Sequence, residues 1–200
     1  MLKSSRNKCR ISNNTDRKIC VISGPSGVGK TTLCDSLLKK ERRLAVCVTA
    51  TTRPKRKGEV DGKDYRFLSE RDFKAGLIRG DFIEYVRLFG HYYGTPYSSL
   101  YDVFRLGRHP LLRIEVKGAR RLRKEGFKGV YIFILPPDMG TLKQRLSRRN
   151  DRTGDFEKRL RRARTELKYK NHYDFKVVND DLGRTVNEIK EIIRKNLFKA

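Results

Sequence analysis

Acidic residues are in short supply. Asp and Glu number 23 against 48 Lys and Arg, which leaves a formal charge of +25 on 200 residues. That excess favours polyanionic partners and speeds the approach of anionic substrates. The cations are spread over nearly every segment with no aromatic-interleaved binding module, so specific nucleic-acid recognition is not expected. Long apolar runs are missing too: none approaches the roughly 20 residues of a membrane span, and no membrane partner is expected. Cysteine is sparse, with Cys9, Cys20, Cys34 and Cys47 more than ten residues apart and no C-x-x-C pair. This excludes ordinary zinc spacing and a disulfide framework, and fits reduced thiols in a cytoplasmic compartment. Residues Met1 to Lys18 carry six bases and one acid, Asp16, but lack the apolar core of a secretory signal. They read as a disordered basic tail, with an organellar transit peptide as the alternative. The length suits one α/β domain with small inserts better than two domains.

What is present is organised around Gly24-Pro25-Ser26-Gly27-Val28-Gly29-Lys30-Thr31. An apolar run, Ile19 to Ser23, precedes it, and a helical pattern from Thr31 to about Arg43 follows. Glycines let successive backbone N–H groups curl round an anion, and the helix N-terminus adds partial positive charge. At this spacing Lys30 can reach β- and γ-phosphates, and the Thr31 hydroxyl can join the shell of a bridging Mg²⁺. Strand, loop and helix form the first unit of a parallel sheet, whose ligands gather at that edge.

Beyond it, the pattern predicts a strand over Leu44 to Thr49 and a loop carrying Arg53, Lys55, Arg56 and Lys57. A capping box at Ser69 opens a helix to Arg79, and β segments at Phe82 to Phe89 and Tyr92-Tyr93 join at Gly90-His91. Alternation resumes with a helix over Tyr97 to Leu106, a strand over Leu111 to Val116, a helix over Gly118 to Lys124 and a strand over Val130 to Leu135. Pro136-Pro137-Asp138 opens a helix toward Arg149, and a polar connection, 150–155, leads to a basic helix over Phe156 to Lys170. A strand, Phe175 to Val178, and a helix, Val186 to Leu197, close the chain. The expected organisation is a tail at 1–17, a core at 18–50 and 97–200, an aromatic-rich insert at about 51–96 and a lid at about 140–160.

Four blocks in order resemble guanylate kinase over roughly Lys18 to Leu197: the P-loop; Thr51 to Tyr65; Phe82-Ile83-Glu84-Tyr85 with Tyr92-Tyr93-Gly94-Thr95; and Val178-Asn179-Asp180-Asp181. The resemblance implies an α/β, P-loop nucleoside monophosphate kinase-like three-layer fold, with a parallel sheet, an inserted mixed β subdomain for GMP and a mobile lid. It implies Mg²⁺-dependent phosphoryl transfer from ATP to GMP or dGMP, in purine metabolism, by a monomer or homodimer. ATP would be held by Gly24, Pro25, Ser26, Gly27, Val28, Gly29, Lys30, Thr31 and Thr32, with Asn179 near the adenine. Arg53 and Arg56 would clamp the GMP phosphate with planar N–H forks, helped by the hydroxyls of Tyr65 and Tyr93. Glu84 would accept from the guanine donor edge, with Thr49 and Thr95 near the base. Glu115 belongs to the same GMP set, and Glu59 either joins it or orients an arginine. Lys30, Arg145, Arg149 and Arg159 would be catalytic, bringing cations to a loose, anionic transition state.

One strand departs from the family pattern. Arg113 and Lys117 stand where an acid and a glutamine are usual, while Glu115 is kept. As alternate strand residues the three would share a face, and Arg113 is expected to pair with Glu115. A further phosphate contact is the other reading of Arg113. The departure makes a catalytically weakened, guanylate kinase-like binding module the alternative function, against which the intact Gly29-Lys30-Thr31 argues.

Overall fold

The computed structural model describes residues 18–148 and 156–198. The chain runs β1 (Ile19–Ser23), α1 (Lys30–Lys40), β2 (Leu44–Val46), β3 (Ala50–Thr51), β4 (Arg66–Phe67), α2 (Glu70–Arg79), β5 (Phe82–Leu88) and β6 (His91–Pro96). It continues through α3 (Tyr97–Arg105), β7 (His109–Arg113), α4 (Val116–Lys124), β8 (Gly129–Leu135), α5 (Met139–Arg148), α6 (Phe156–Leu167), β9 (Phe175–Val178) and α7 (Leu182–Asn196).

Five parallel strands lie in the order β2-β7-β1-β8-β9. Parallel strands need crossovers, and here the crossover helices cover both faces. The side-chain alternation of a strand sorts the core. Cys20, Ile22, Leu111, Ile132 and Ile134 meet Leu33 and Leu37 of α1 and Val186, Ile189 and Ile193 of α7. Ile19, Val21, Leu112, Tyr131 and Phe133 meet Leu100 and Val103 of α3 and Ala119 and Leu122 of α4.

A second, mixed sheet in the order β4-β3-β6-β5 stands at the carboxyl edge of the first. Its small core stacks Phe73 of α2 on Phe82 and Tyr92, with ring centroids 4.3 and 5.3 Å apart. Ser69 caps α2 by accepting from the Asp72 N–H at 3.0 Å, and Gly80 ends the helix with φ 73°. Helices α5 and α6 pack on each other through Leu142, Leu146, Leu160 and Ala163.

Several boundaries correct the sequence reading. The strand expected to reach Val116 stops at Arg113, and Glu115 is the N-cap of α4. Val116, Ala119 and Leu122 recur at helical spacing on the buried face, so burial claims Val116 for the helix. Arg113, Glu115 and Lys117 therefore do not share a strand face, and Lys117 is exposed on α4. The strand expected over Leu44 to Thr49 stops at Val46, and the next strand, β3, begins at Ala50 in the other sheet. Helix α1 ends at Lys40 because Glu41 turns extended and its carboxylate takes the Arg43 guanidinium at 2.8 and 2.9 Å. Helix α6 stops at Leu167, and a 3₁₀ turn spans Lys170–His172. Helix α7 starts four residues before Val186, since Asp181 caps it by accepting from the Arg184 N–H at 2.8 Å. The tail over 1–17, the connection over 150–155 and Arg149 lie outside the described residues. No described helix is long and apolar enough to cross a membrane.

Candidate active site

The phosphate loop leaves β1 and enters α1 through Gly29, whose φ of 96° is left-handed and open to glycine at little cost. A Cβ there would also lie 2.6 Å from the Asn179 amide nitrogen. That nitrogen donates to the Val28 carbonyl at 2.7 Å, while the Arg145 guanidinium donates to the carbonyls of Asn179 at 3.2 Å and Val28 at 3.5 Å. Asn179, expected near an adenine, thus ties the end of β9 to the loop. Thr31 and Thr32 are exposed in the first turn of α1. The Lys30 ammonium donates to the carbonyls of Gly24 and Pro25 and stands 3.7 Å from a Glu115 carboxylate oxygen. The other Glu115 oxygen accepts from Arg162 at 3.1 Å, and Arg162 also donates to Glu166 at 2.6 Å. Burial above all, with the charge of Glu115 beside it, pushes the Glu166 carboxyl up, against the pull of Arg162.

Facing this edge, a cleft of about 180 Å³ opens between the two sheets. Thr49, Arg53, Arg56, Tyr65, Glu84 and Tyr93 line it from the second sheet and its flanks, and Ser26, Arg113, Glu115 and Arg159 from the opposite side. Arg53 is 9% exposed and forms a two-pronged pair with Glu59, one prong at 2.7 Å. Its guanidinium lies 4.9 Å from the Tyr65 ring centroid. Glu59 also accepts from the Arg56 backbone N–H at 2.9 Å, and the Arg53 hydrogen bonds hold its carboxyl below its ordinary range. Of the two readings of Glu59, the geometry favours the arginine-orienting one, because both oxygens are occupied by Arg53. Tyr65 and Tyr93 meet edge to face at 6.2 Å. Arg159 of α6 stands 5.4 Å over the ring of Phe89, at the tip of the β5–β6 hairpin.

Glu84 is 2% exposed. Thr95, fully buried behind it, donates its hydroxyl to one carboxylate oxygen at 2.7 Å. Thr95 is thus absent from the cleft wall and reaches it only through Glu84. Burial pushes the Glu84 carboxyl up to about 7, with the Thr95 hydrogen bonds pulling it down and the Glu115 charge adding to the rise. A carboxyl whose folded pKa is raised contributes stability that is complete below its unfolded pKa and lost as pH climbs through the folded one. Glu84→Gln should therefore remove roughly 3 kcal/mol of pH dependence from the unfolding free energy between about pH 5 and 8. Urea titrations of both proteins at the two pH values measure this, and parallel pH profiles would place the titration elsewhere.

The chemistry of the donor set can be tested against Mg²⁺. Among the described residues no group of three or more His, Cys, Asp or Glu side chains is arranged to hold a metal. Mg²⁺ rarely needs one, since it keeps waters and takes substrate phosphate oxygens with one or two protein oxygens. The exposed Thr31 hydroxyl and the Glu115 carboxylate are hard donors of that kind, and they fit.

Sequence reasoning missed Arg162 and Glu166, although their i, i+4 spacing is a legible helix pair. It also missed Gly118 of α4, where a Cβ would sit 2.2 Å from a Glu84 carboxylate oxygen. No sequence signal announces that contact.

The family model described as guanylate kinase matches residues 16–196. A guanylate kinase of Clostridium perfringens is 40% identical over 185 residues, covering 92% of this chain and 86% of the relative. One from Caldanaerobacter subterraneus is 42% identical over 176 residues, covering 88% of this chain and 85% of the relative. The crystal structure of guanylate kinase from Anaplasma phagocytophilum superposes with a TM-score of 0.76 at 34% identity, covering 92% of this chain and 88% of that one.

Proposed function

The chain belongs to the guanylate kinase family, and from that membership we propose that it transfers the γ-phosphoryl group of ATP to GMP with Mg²⁺, giving ADP and GDP. The observation that carries the reading is a single cleft with a buried carboxylate, Glu84, at one end, the Arg53, Arg56, Tyr65 and Tyr93 cluster beside it, and the P-loop edge across from both.

In this reading the backbone amides of 24–31 hold the ATP phosphates, and Lys30 exchanges its two carbonyl contacts for the β- and γ-phosphate oxygens. Thr31 and Glu115 would hold Mg²⁺, which when bound would supply positive charge to the phosphate oxygens. Arg53, held rigid by Glu59, and Arg56 fork onto the GMP phosphate, with the Tyr65 and Tyr93 hydroxyls completing the clamp. Glu84 accepts from the guanine N1–H and amine, beside Thr49. A GMP phosphate oxygen then forms the bond to the γ-phosphorus as the bond to the β-bridging oxygen breaks, and ADP leaves. Such transfer asks little covalent chemistry of the protein. It asks for alignment, exclusion of water and cations where charge spreads, which Arg145, Arg149 and Arg159 supply from the lid. Asn179 acts by bracing Val28. The chain works as a monomer or homodimer in the cytoplasm, needing neither nucleic acid nor membrane.

A coupled assay over GMP, dGMP, AMP, CMP and UMP tests this. GMP and dGMP should be used, and AMP should have a kcat/KM lower by about tenfold or more. AMP presents an acceptor at N1 to Glu84 and leaves the carboxylate oxygen not held by Thr95 without a donor. Equal use of AMP and GMP would remove the assignment of Glu84.

A further inference from the structure

Arg113 is where this chain leaves the pattern of its family, and the expected partner of Arg113 is taken. Glu115 faces Lys30 at 3.7 Å and Arg162 at 3.1 Å. Among the described residues Arg113 forms no hydrogen bond or ion pair. Yet it is half-buried, at the carboxyl end of β7, in register with Ile22 just before the P-loop. Strand alternation puts it on the face of Leu111, which packs with Leu33 and Cys34 of α1. The charges of Arg113 and Lys30 both pull down the pKa of the Cys34 thiol, which burial has raised, so both cations act on the same part of α1. The Arg113 side chain also lines the cleft, with Ser26 and Glu115 on its own side and Arg53 and Arg56 across. Arg53 is committed to Glu59 and Lys30 to loop carbonyls. A half-buried guanidinium with no acceptor gives up hydration for nothing, unless an anion arrives to fill its planar fork.

We propose that Arg113 is a phosphate-binding catalytic residue, whose guanidinium contacts the phosphoryl group in transit between the P-loop and the acceptor clamp. This rests on the reading of the cleft as the site of ATP:GMP transfer. A contact made to the group in flight strengthens in the transition state, so it belongs to kcat more than to KM. The pairing with Glu115 expected from the sequence would draw that carboxylate away from the site and predicts the opposite sign on removal.

The test compares the full-length wild type with Arg113→Ala and Arg113→Lys. Two readouts are used: steady-state kinetics with ATP and GMP, and calorimetric titration with a bisubstrate analogue joining adenosine and guanosine through five phosphates. Arg113→Ala should lower kcat about 10- to 100-fold and shift either KM less than about threefold. It should also weaken analogue binding by about tenfold, while Arg113→Lys, which keeps charge but loses the fork, falls between. Added guanidinium ion should restore part of the Arg113→Ala rate, which a purely structural role would not allow. Unchanged or faster turnover in Arg113→Ala, or unchanged analogue affinity, overturns the proposal. A wild type that neither binds the analogue nor phosphorylates GMP overturns the functional reading itself, a result distinct from an active wild type matched by its alanine variant.

Discussion

Lys30→Ala leaves a folded protein whose kcat for GMP phosphorylation falls by about a thousandfold or more, the scale of removing a preorganised cation from a developing phosphoryl charge. The described contacts of the Lys30 ammonium are the Gly24 and Pro25 carbonyls and the Glu115 carboxylate, all at the site edge. Removing it releases those carbonyls to water and leaves α1, whose buried residues are Leu33, Cys34 and Leu37, with its packing intact. Thermal melting should therefore move by only a few degrees while turnover collapses. Glu115 would keep Arg162 as a partner, so no uncompensated charge is stranded. A variant retaining more than a tenth of wild-type kcat would show that the lysine is not a main contact of the transferring group.

Gly118→Ala raises KM for GMP about 50-fold, roughly 2.3 kcal/mol of binding, while leaving KM for ATP nearly unchanged. An alanine Cβ would stand 2.2 Å from one Glu84 oxygen and 2.9 Å from the carboxyl carbon, distances no side chain sustains. Glu84 cannot move without losing its place, since it is 2% exposed and its other oxygen is bonded to Thr95. The clash must turn the carboxylate, and so misplace the guanine acceptor, or push α4 away from β5. Alanine in place of glycine in the first turn of α4 favours the helix by up to about 1 kcal/mol, which offsets part of the strain in the global stability. Binding has no such offset. Stability should change little while GMP affinity drops, and a KM for GMP within threefold of wild type would mean that Glu84 is free to rotate or is not the base contact.

What was legible in the sequence lies in contiguous residues whose conformation is a local matter. The loop 24–31 needs glycines at fixed spacing whatever surrounds it, Ser69 and Gly80 mark the ends of α2, and Gly90 marks a hairpin. The segment after β7 was misread because a β-branched residue, Val116, extends an apolar strand pattern equally well as it opens a helix, and only burial against the core chooses. Arg53, Arg56, Tyr65, Glu84 and Tyr93 were singled out by resemblance as an expected acceptor set, and the fold places them on one cleft.

By itself, then, the sequence determined that this is a phosphate-loop α/β protein with a separate aromatic-rich β region, because backbone geometry writes those features into neighbouring residues. Only the tertiary structure decided which charges meet. With 48 cations and 23 acids, almost any pairing can be drawn on paper. Glu115 goes to Lys30 and Arg162 rather than to Arg113, Glu59 goes to Arg53, and Asn179 reaches Val28 across 151 residues of chain. Coulomb attraction between exposed charges is weak and indifferent to partner, and becomes selective only where folding strips away water and fixes the distance.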